Sequence, residues 1–316
     1  MRKNIILFLF FLSIILFSAC QNPGVDTTPT TPVAEAVPTD TAEPTATFSP
    51  TETSTPATII LYTPESAADG EVVELQSWLA NWASENSYTF LVKAQLTSAD
   101  IPSGTRAVVL LNEVGVDVNA FAQQHPETTF VVQRKTANAD VPGNVVVLVS
   151  DPNALHFAAG FVSILIAPDW RLGALLPWDD EGIGAETLEA FTNGSAYHCG
   201  RCASTYMPVA LFPVTSSLSA TSEPESWIEA ITTLDNQYYL YTVYVAPEAS
   251  SEALFQHLVT QNVTVVGEKQ PENIEGLLWA ASIDQDPVSA LQEHWVEIIN
   301  GTLEEKEIFV PIRLSE

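Results

Sequence analysis

Five short runs of β-branched and aliphatic residues punctuate the chain: Thr58 to Tyr62, Phe90 to Val92, Ala107 to Leu111, Phe130 to Val132 and Val145 to Val149. A strand with one face in water alternates apolar and polar residues. Unbroken apolar runs belong to strands covered on both faces, which means a parallel sheet with helices above and below. Helical patterns stand between the runs. Val73, Leu75, Trp78, Leu79, Trp82 and Ala83 recur at steps of three and four, so one stripe of a helix carries the apolar surface, and Val118 to Gln124 reads as a shorter helix. The first unit is therefore α/β.

The rhythm is then used again. Asp151 to Ile166 has the length of a helix, Arg171 to Pro177 reads as a strand ending in a turn, and Glu186 to Phe191 is helical. Trp227 to Leu234 reads as a helix, Tyr238 to Val245 as a strand, Ser251 to Val259 as a helix and Val263 to Gly267 as a strand. Two α/β sets of this size fit two lobes better than one continuous sheet. The expected boundaries are a first lobe over 58–150, a second over 151–268, a return to the first over 269–300 and a final strand in the second over 301–316.

What precedes the folded body sets its compartment. Arg2 and Lys3 stand before an apolar run from Ile5 to Phe17 that Ser18-Ala19-Cys20 closes, the three parts of an export signal over residues 1–19. The run is shorter than the roughly 20 residues a bilayer core needs, which argues against a transmembrane anchor. Leu16 to Cys20 resembles the lipobox of bacterial lipoprotein signal peptides. That resemblance implies a lipid on Cys20 and a body held at the extracytoplasmic face of a membrane. Residues 20–57 are dominated by Thr, Pro, Ala, Ser and Glu, too little apolar surface to offset the entropy of ordering, and read as a disordered, extended tether. Eleven Lys plus Arg against 39 Asp plus Glu leave a formal charge of -28. Such a body repels phosphate backbones, which excludes nucleic acid as a partner.

Several short motifs follow one another in the body. His156-Phe157-Ala158-Ala159-Gly160-Phe161 precedes Arg171-Leu172-Gly173-Ala174-Leu175, and Leu188 to Gly194 contains a Phe-x-x-Gly element. Tyr244 to Glu248, Val265 to Glu268, Trp279 to Ser282 and His294 to Thr302 come next, before a last strand from Ile308 to Ile312. In their order these segments resemble the type I periplasmic binding fold, most closely the basic-membrane-protein (nucleoside-binding lipoprotein) branch of solute-binding proteins. The resemblance covers about residue 58 to 316. It implies two lobes, each a mostly parallel sheet flanked by helices, joined by three crossovers and closing on a small-molecule solute.

Open α/β sheets bind ligands in the crevice beyond the carboxyl ends of their strands. At those ends stand Glu65 and Ser66, Asn112 and Glu113, Trp178 and Asp179, Pro247 and Glu248, and Glu268. An aromatic face with several acceptors suits a neutral or cationic ligand bearing hydroxyls or amines. Cys199-Gly200-Arg201-Cys202 has four readings: a structural disulfide, a thioredoxin-type redox pair, half of a zinc site and two free thiols. The disulfide is favoured, because the helical pattern precedes the pair where a redox pair would open a helix, and zinc needs a further ligand that only His156 or His257 could bring from afar. No Gly-x-Ser-x-Gly elbow, Gly-rich phosphate loop, His-Glu-x-x-His or EF-hand pattern occurs, so no catalytic residue, metal or cofactor is expected.

The expected function is a lipid-anchored, non-enzymatic solute-binding protein that takes a nucleoside-like or other polar solute to an ABC permease. The alternative is a sensory or protein-interaction lipoprotein that keeps the fold without a transport role.

Overall fold

The computed structural model describes residues 56–64, 70–111, 113, 115–137, 140–178 and 185–315. The expected signal segment, Cys20 and nearly all of the tether lie outside them. The described residues begin with β1 (Thr58–Tyr62), α1 (Gly70–Glu85), β2 (Thr89–Lys93), β3 (Thr105–Leu110), α2 (Val118–Gln124), β4 (Thr129–Arg134) and β5 (Val145–Val149). Their strands pair in parallel in the order β5-β4-β3-β1-β2. The unbroken apolar runs serve two cores at once. In β5, Val146 and Leu148 face one core while Val145, Val147 and Val149 face the other, and β1 divides in the same way. Leu75, Leu79 and Ala83 of α1 cover the first face, and Val118 and Ala122 of α2 the second. Trp78 and Trp82 belong to this core: their ring centroids lie 5.6 and 5.8 Å from that of Trp295, edge to face.

The second lobe opens with α3 (Pro152–Ile166), capped by Asp151, whose carboxylate accepts the Asn153 N–H. Then come β6 (Leu172–Pro177), α4 (Ala185–Cys199), β7 (Cys202–Ala203), β8 (Leu211–Phe212), β9 (Val214–Leu218), α5 (Pro224–Tyr238), β10 (Thr242–Val245), α6 (Glu252–Gln261), β11 (Thr264–Gly267) and β12 (Leu278–Gln285). The main strands pair in parallel in the order β12-β11-β10-β6-β9. The chain ends with α7 (Pro287–Asn300), β13 (Glu307–Phe309) and β14 (Ile312–Ser315). Helix α7 puts Leu291, Trp295 and Ile298 into the first core, β13 extends the first sheet beside β5, and β14 runs antiparallel to β12. Two mostly parallel sheets, each flanked by helices, thus form an α/β body whose chain crosses between lobes three times.

Several sequence expectations are corrected here. The return to the first lobe does not begin at 269, because β12 pairs with β11 and keeps the chain in the second sheet until Gln285. The single final strand from Ile308 to Ile312 is two strands in different sheets, divided at Pro311, which lacks the N–H to continue a ladder. Tyr238 ends α5 and Tyr239 adopts a left-handed φ of 54°, so β10 starts only at Thr242. Between α4 and α5, where the sequence reading placed no element, β7 pairs with β8, and β9 adds an edge strand beside β6.

Asp286 fastens the second crossover to the third. Its N–H donates to the Pro311 carbonyl (2.9 Å), and its carboxylate accepts from the Ser289 N–H (2.9 Å), the Ser289 hydroxyl (2.7 Å) and Arg313 (3.3 Å). Burial pushes its pKa upward, but the Ser289 donors, then Arg313, outweigh burial and hold it below the ordinary carboxylate value. The stability this gives is fully present above the unfolded-state pKa and is lost as pH falls through the lowered folded value. Asp286→Ala should therefore cost about 1–2 kcal/mol near pH 7 and less in acid, read by urea unfolding at several pH values; a pH-independent loss would contradict the assignment.

Candidate ligand cleft

Parallel strands bring their carboxyl ends to one edge of a sheet, and here the edges of both sheets meet at the crossovers. A cavity of about 320 Å³ lies there. The first lobe lines it with Leu111, Gln133, Arg134, Lys135 and Ser150, the second with Pro152, Leu155, His156, Pro247 and Glu248, and Gln285 stands at the crossover. A neighbouring cavity of about 500 Å³ shares Gln133, Leu155 and Gln285, and adds Glu268, Lys269, Asp284, Arg313 and the first turn of α1.

The walls differ in character. On the first lobe, Arg134 is held by Glu113 through paired hydrogen bonds of 2.7 and 3.0 Å, and that bonding, against the effect of burial, raises the guanidinium pKa. Gln133 donates to the Ser150 hydroxyl at 2.8 Å, and Gln285 to the Asp151 carbonyl at 3.0 Å, which ties the crossover strands together. Lys135 is exposed and makes no ion pair among the described residues.

On the second lobe, His156 is 3% exposed and its Nδ1 lies 2.7 Å from the Pro152 carbonyl. A carbonyl only accepts, so the proton sits on Nδ1; burial pushes the imidazole pKa down, and Nε2 is left as an acceptor. That Nε2, Oε2 of Glu248 and the Tyr244 hydroxyl are all buried with no hydrogen-bond partner among the described residues. The rings of His156 and Tyr244 meet edge to face with centroids 6.0 Å apart. Burial, then the charges of Glu248 and Glu268, push the Tyr244 pKa up, so its hydroxyl stays protonated. Most buried polar atoms in folded proteins are partnered, so three unpartnered ones behind one cavity wall mark a polar locus.

Of the residues named from sequence, Pro247 and Glu248 line the first cavity and Glu268 the second. Glu113 holds Arg134 instead of lining either. Trp178 is 51% exposed beyond the end of β6 and lines neither cavity. Glu65, Ser66, Asn112 and Asp179 lie outside the described residues. Sequence reasoning missed Gln133, Lys135, His156 and Gln285. The signal for the first two was present: the fourth apolar run stops at Val132, but β4 continues to Arg134, so the residues just past the run are the strand end. Cys199 and Cys202 form a disulfide, with Cα atoms 5.4 Å apart, and border neither cavity. Among the described residues no cluster of His, Cys, Asp and Glu could hold a metal ion, and no helix is long and apolar enough to cross a membrane.

No family model and no curated relative matches the chain. Solved structures do. A transcriptional activator of the comK gene from Bacillus halodurans superposes with a TM-score of 0.58 at 13% identity, covering 82% of this chain and 90% of its own. A solute-binding protein of an ABC transporter system from Conexibacter woesei gives 0.57 at 14%, covering 83% and 88%, and GanP, a glucose-galactose binding protein from Geobacillus stearothermophilus, gives 0.54 at 12%, covering 83% and 98%. The fold is that of the type I periplasmic binding proteins. At these identities the likeness is one of fold, and it extends across nearly all of the described body. Within the type I fold, the cavities found here occupy the junction of the lobes.

Proposed function

We propose that this chain is a membrane-anchored extracytoplasmic lipoprotein of the basic-membrane-protein branch that closes its lobes on a small solute bearing hydroxyls or amines and delivers it to an ABC permease. The observation that carries the reading is the cavity at the lobe junction, backed on the second lobe by the unpartnered acceptors of His156 and Glu248. A ligand donor that reaches them as the lobes close supplies partners that the unliganded body lacks, so closure is favoured only when ligand is present. Similar folds that bind glucose and galactose, or serve ABC transporter systems as solute-binding proteins, support the class of role. Lipidation at Cys20 supplies the anchor, and the tether holds the body clear of the lipid.

The test is a thermal-shift screen of the protein against nucleosides, sugars, amino acids and polyamines. A ligand at 100 times its Kd adds about 2.7 kcal/mol to stability, so one chemical class should shift the melting temperature clearly. Glu248→Gln should then weaken that ligand by about 1.5–3 kcal/mol, the range for hydrogen bonds to charged groups, measured by calorimetry. Silence across the panel from a folded sample would reject the transport reading in favour of a sensory or interaction role.

A further inference from the structure

The end of the second lobe away from the cavities, around the start of β6, exposes an apolar surface. Tyr197, Tyr206, Met207, Val209 and Leu211 are between 54% and 81% exposed, and Tyr239 and Tyr241 flank them. The surface is continuous. Tyr197 packs against Phe157 and Phe161, His198 against Trp170, and the next residue, Arg171, donates to the carbonyls of Tyr206 and Met207 and lies 5.8 Å from the Tyr241 ring centre.

The display is also held rigid. Arg171, the β7–β8 ladder, the Cys199–Cys202 disulfide and the Ser204 hydroxyl, bonded to Pro208 and Ala210, fix the loop that presents Tyr206 and Met207. A loop fixed with its apolar side chains outward has already lost the entropy that docking would otherwise remove.

Charge indicates the occupant. Between Glu189 and Glu223 the only charged side chain is Arg201, in a chain of formal charge -28. The bordering acids are engaged at home: Asp169 accepts from Arg171 and the Thr205 N–H, and Asp235 from the Leu240 N–H. Two copies of so acidic a chain repel one another, and the stretch between Glu189 and Glu223 adds no carboxylate to that repulsion. The face is also self-complementary, as a two-fold contact requires, because the exposed Arg201, with no ion pair among the described residues, shares the surface with exposed tyrosine rings that attract a cation. We infer that this face is where two copies of the chain associate.

Sedimentation velocity of the full-length chain in a density-matched detergent, over about a hundredfold range of concentration, tests this directly. The expected result is a monomer–dimer equilibrium whose Kd rises at least about tenfold with Met207→Asp or Arg201→Glu, at unchanged melting temperature. Val73→Asp, which alters a 58% exposed side chain on α1, should leave the equilibrium as it was. A chain monomeric at every concentration overturns the inference, as does a dimer indifferent to both variants. Flotation of a monomeric chain with phosphatidylcholine vesicles, lost in Met207→Asp, also overturns it and assigns the face to lipid.

Discussion

Gly160→Val should destabilise the protein by about 3 kcal/mol or more, the upper range for overpacking, because its side chain would have to occupy space already filled by backbone. A Cβ on Gly160 would lie 2.0 Å from the Phe191 carbonyl oxygen, and one on Gly194 would lie 2.0 Å from the Phe157 carbonyl oxygen. The two helices α3 and α4 therefore cross backbone to backbone, each glycine receiving the other helix. Ser195, fully buried, donates to the Gly160 carbonyl at 3.1 Å and so bonds across the same crossing. The opposing atoms are helix carbonyls, which cannot swing aside as a long side chain can; relief requires the helices to part and α3 to leave β10 and β12. Even Gly160→Ala should be costly. Gly143→Ala, where a Cβ would meet nothing within 4 Å, is the matched control and should stay within about 0.5 kcal/mol of the parent in urea unfolding. A Gly160→Val protein as stable as the control would show that the helices can separate freely, and the crossing would lose its structural role.

Those glycines show what was legible in the sequence and why. Ala159-Gly160 and Phe191-Thr192-Asn193-Gly194 stood out as parts of a series resembling the type I fold; the structure supplies the physical cause, that the two motifs are halves of one contact. The apolar runs were equally readable, since Val145 to Val149 must satisfy two cores and leaves no position for a polar residue. Elements at the margins were not. Val214-Thr215-Ser216-Ser217-Leu218 is an edge strand covered less completely than β6, so it tolerates hydroxyls and gives no apolar run. The break at Pro311 is invisible to hydropathy, because apolar residues stand on both sides of it, Ile308 to Val310 and Ile312, while the change lies in the pairing: β13 runs parallel to β5 and β14 antiparallel to β12.

The cleft was half legible for a related reason. Counting outward from apolar runs finds strand ends such as Pro247, Glu248 and Glu268, and it misses ends where the last strand residues are polar, as Gln133 and Arg134 are. His156 could not be found in this way at all. It lies inside a helix, one turn beyond Pro152, and it meets the cavity only because α3 begins at the crossover and carries its first turn along the lobe junction. The acceptor on its Nε2 follows from tertiary facts: a carbonyl one turn back and the burial of the ring.

Arg171→Met should cost about 3–5 kcal/mol and free the loop that it holds. The guanidinium is 2% exposed, among the most deeply buried charged groups described, and its donors reach Asp169 (3.1 Å), Tyr206 (2.6 Å), Met207 (3.3 Å) and the Tyr238 carbonyl. Methionine fills comparable volume and offers no donor, so three carbonyls and a carboxylate lose a partner at once, the circumstance in which removing one side of a buried polar network is most damaging. Lysine would not rescue it: an ammonium is a point donor, and the fork that joins groups on three separate segments needs the planar geometry of arginine. Because Tyr206 and Met207 are anchored by their carbonyls while their side chains face solvent, the loss should appear first as protease cleavage within residues 203–213, at temperatures where the sheet of the second lobe is still intact. Limited proteolysis alongside calorimetric melting separates the two effects. Cleavage that merely tracks global unfolding would make Arg171 a support of the lobe as a whole, while early cleavage with the same end product would make it the clamp of that loop.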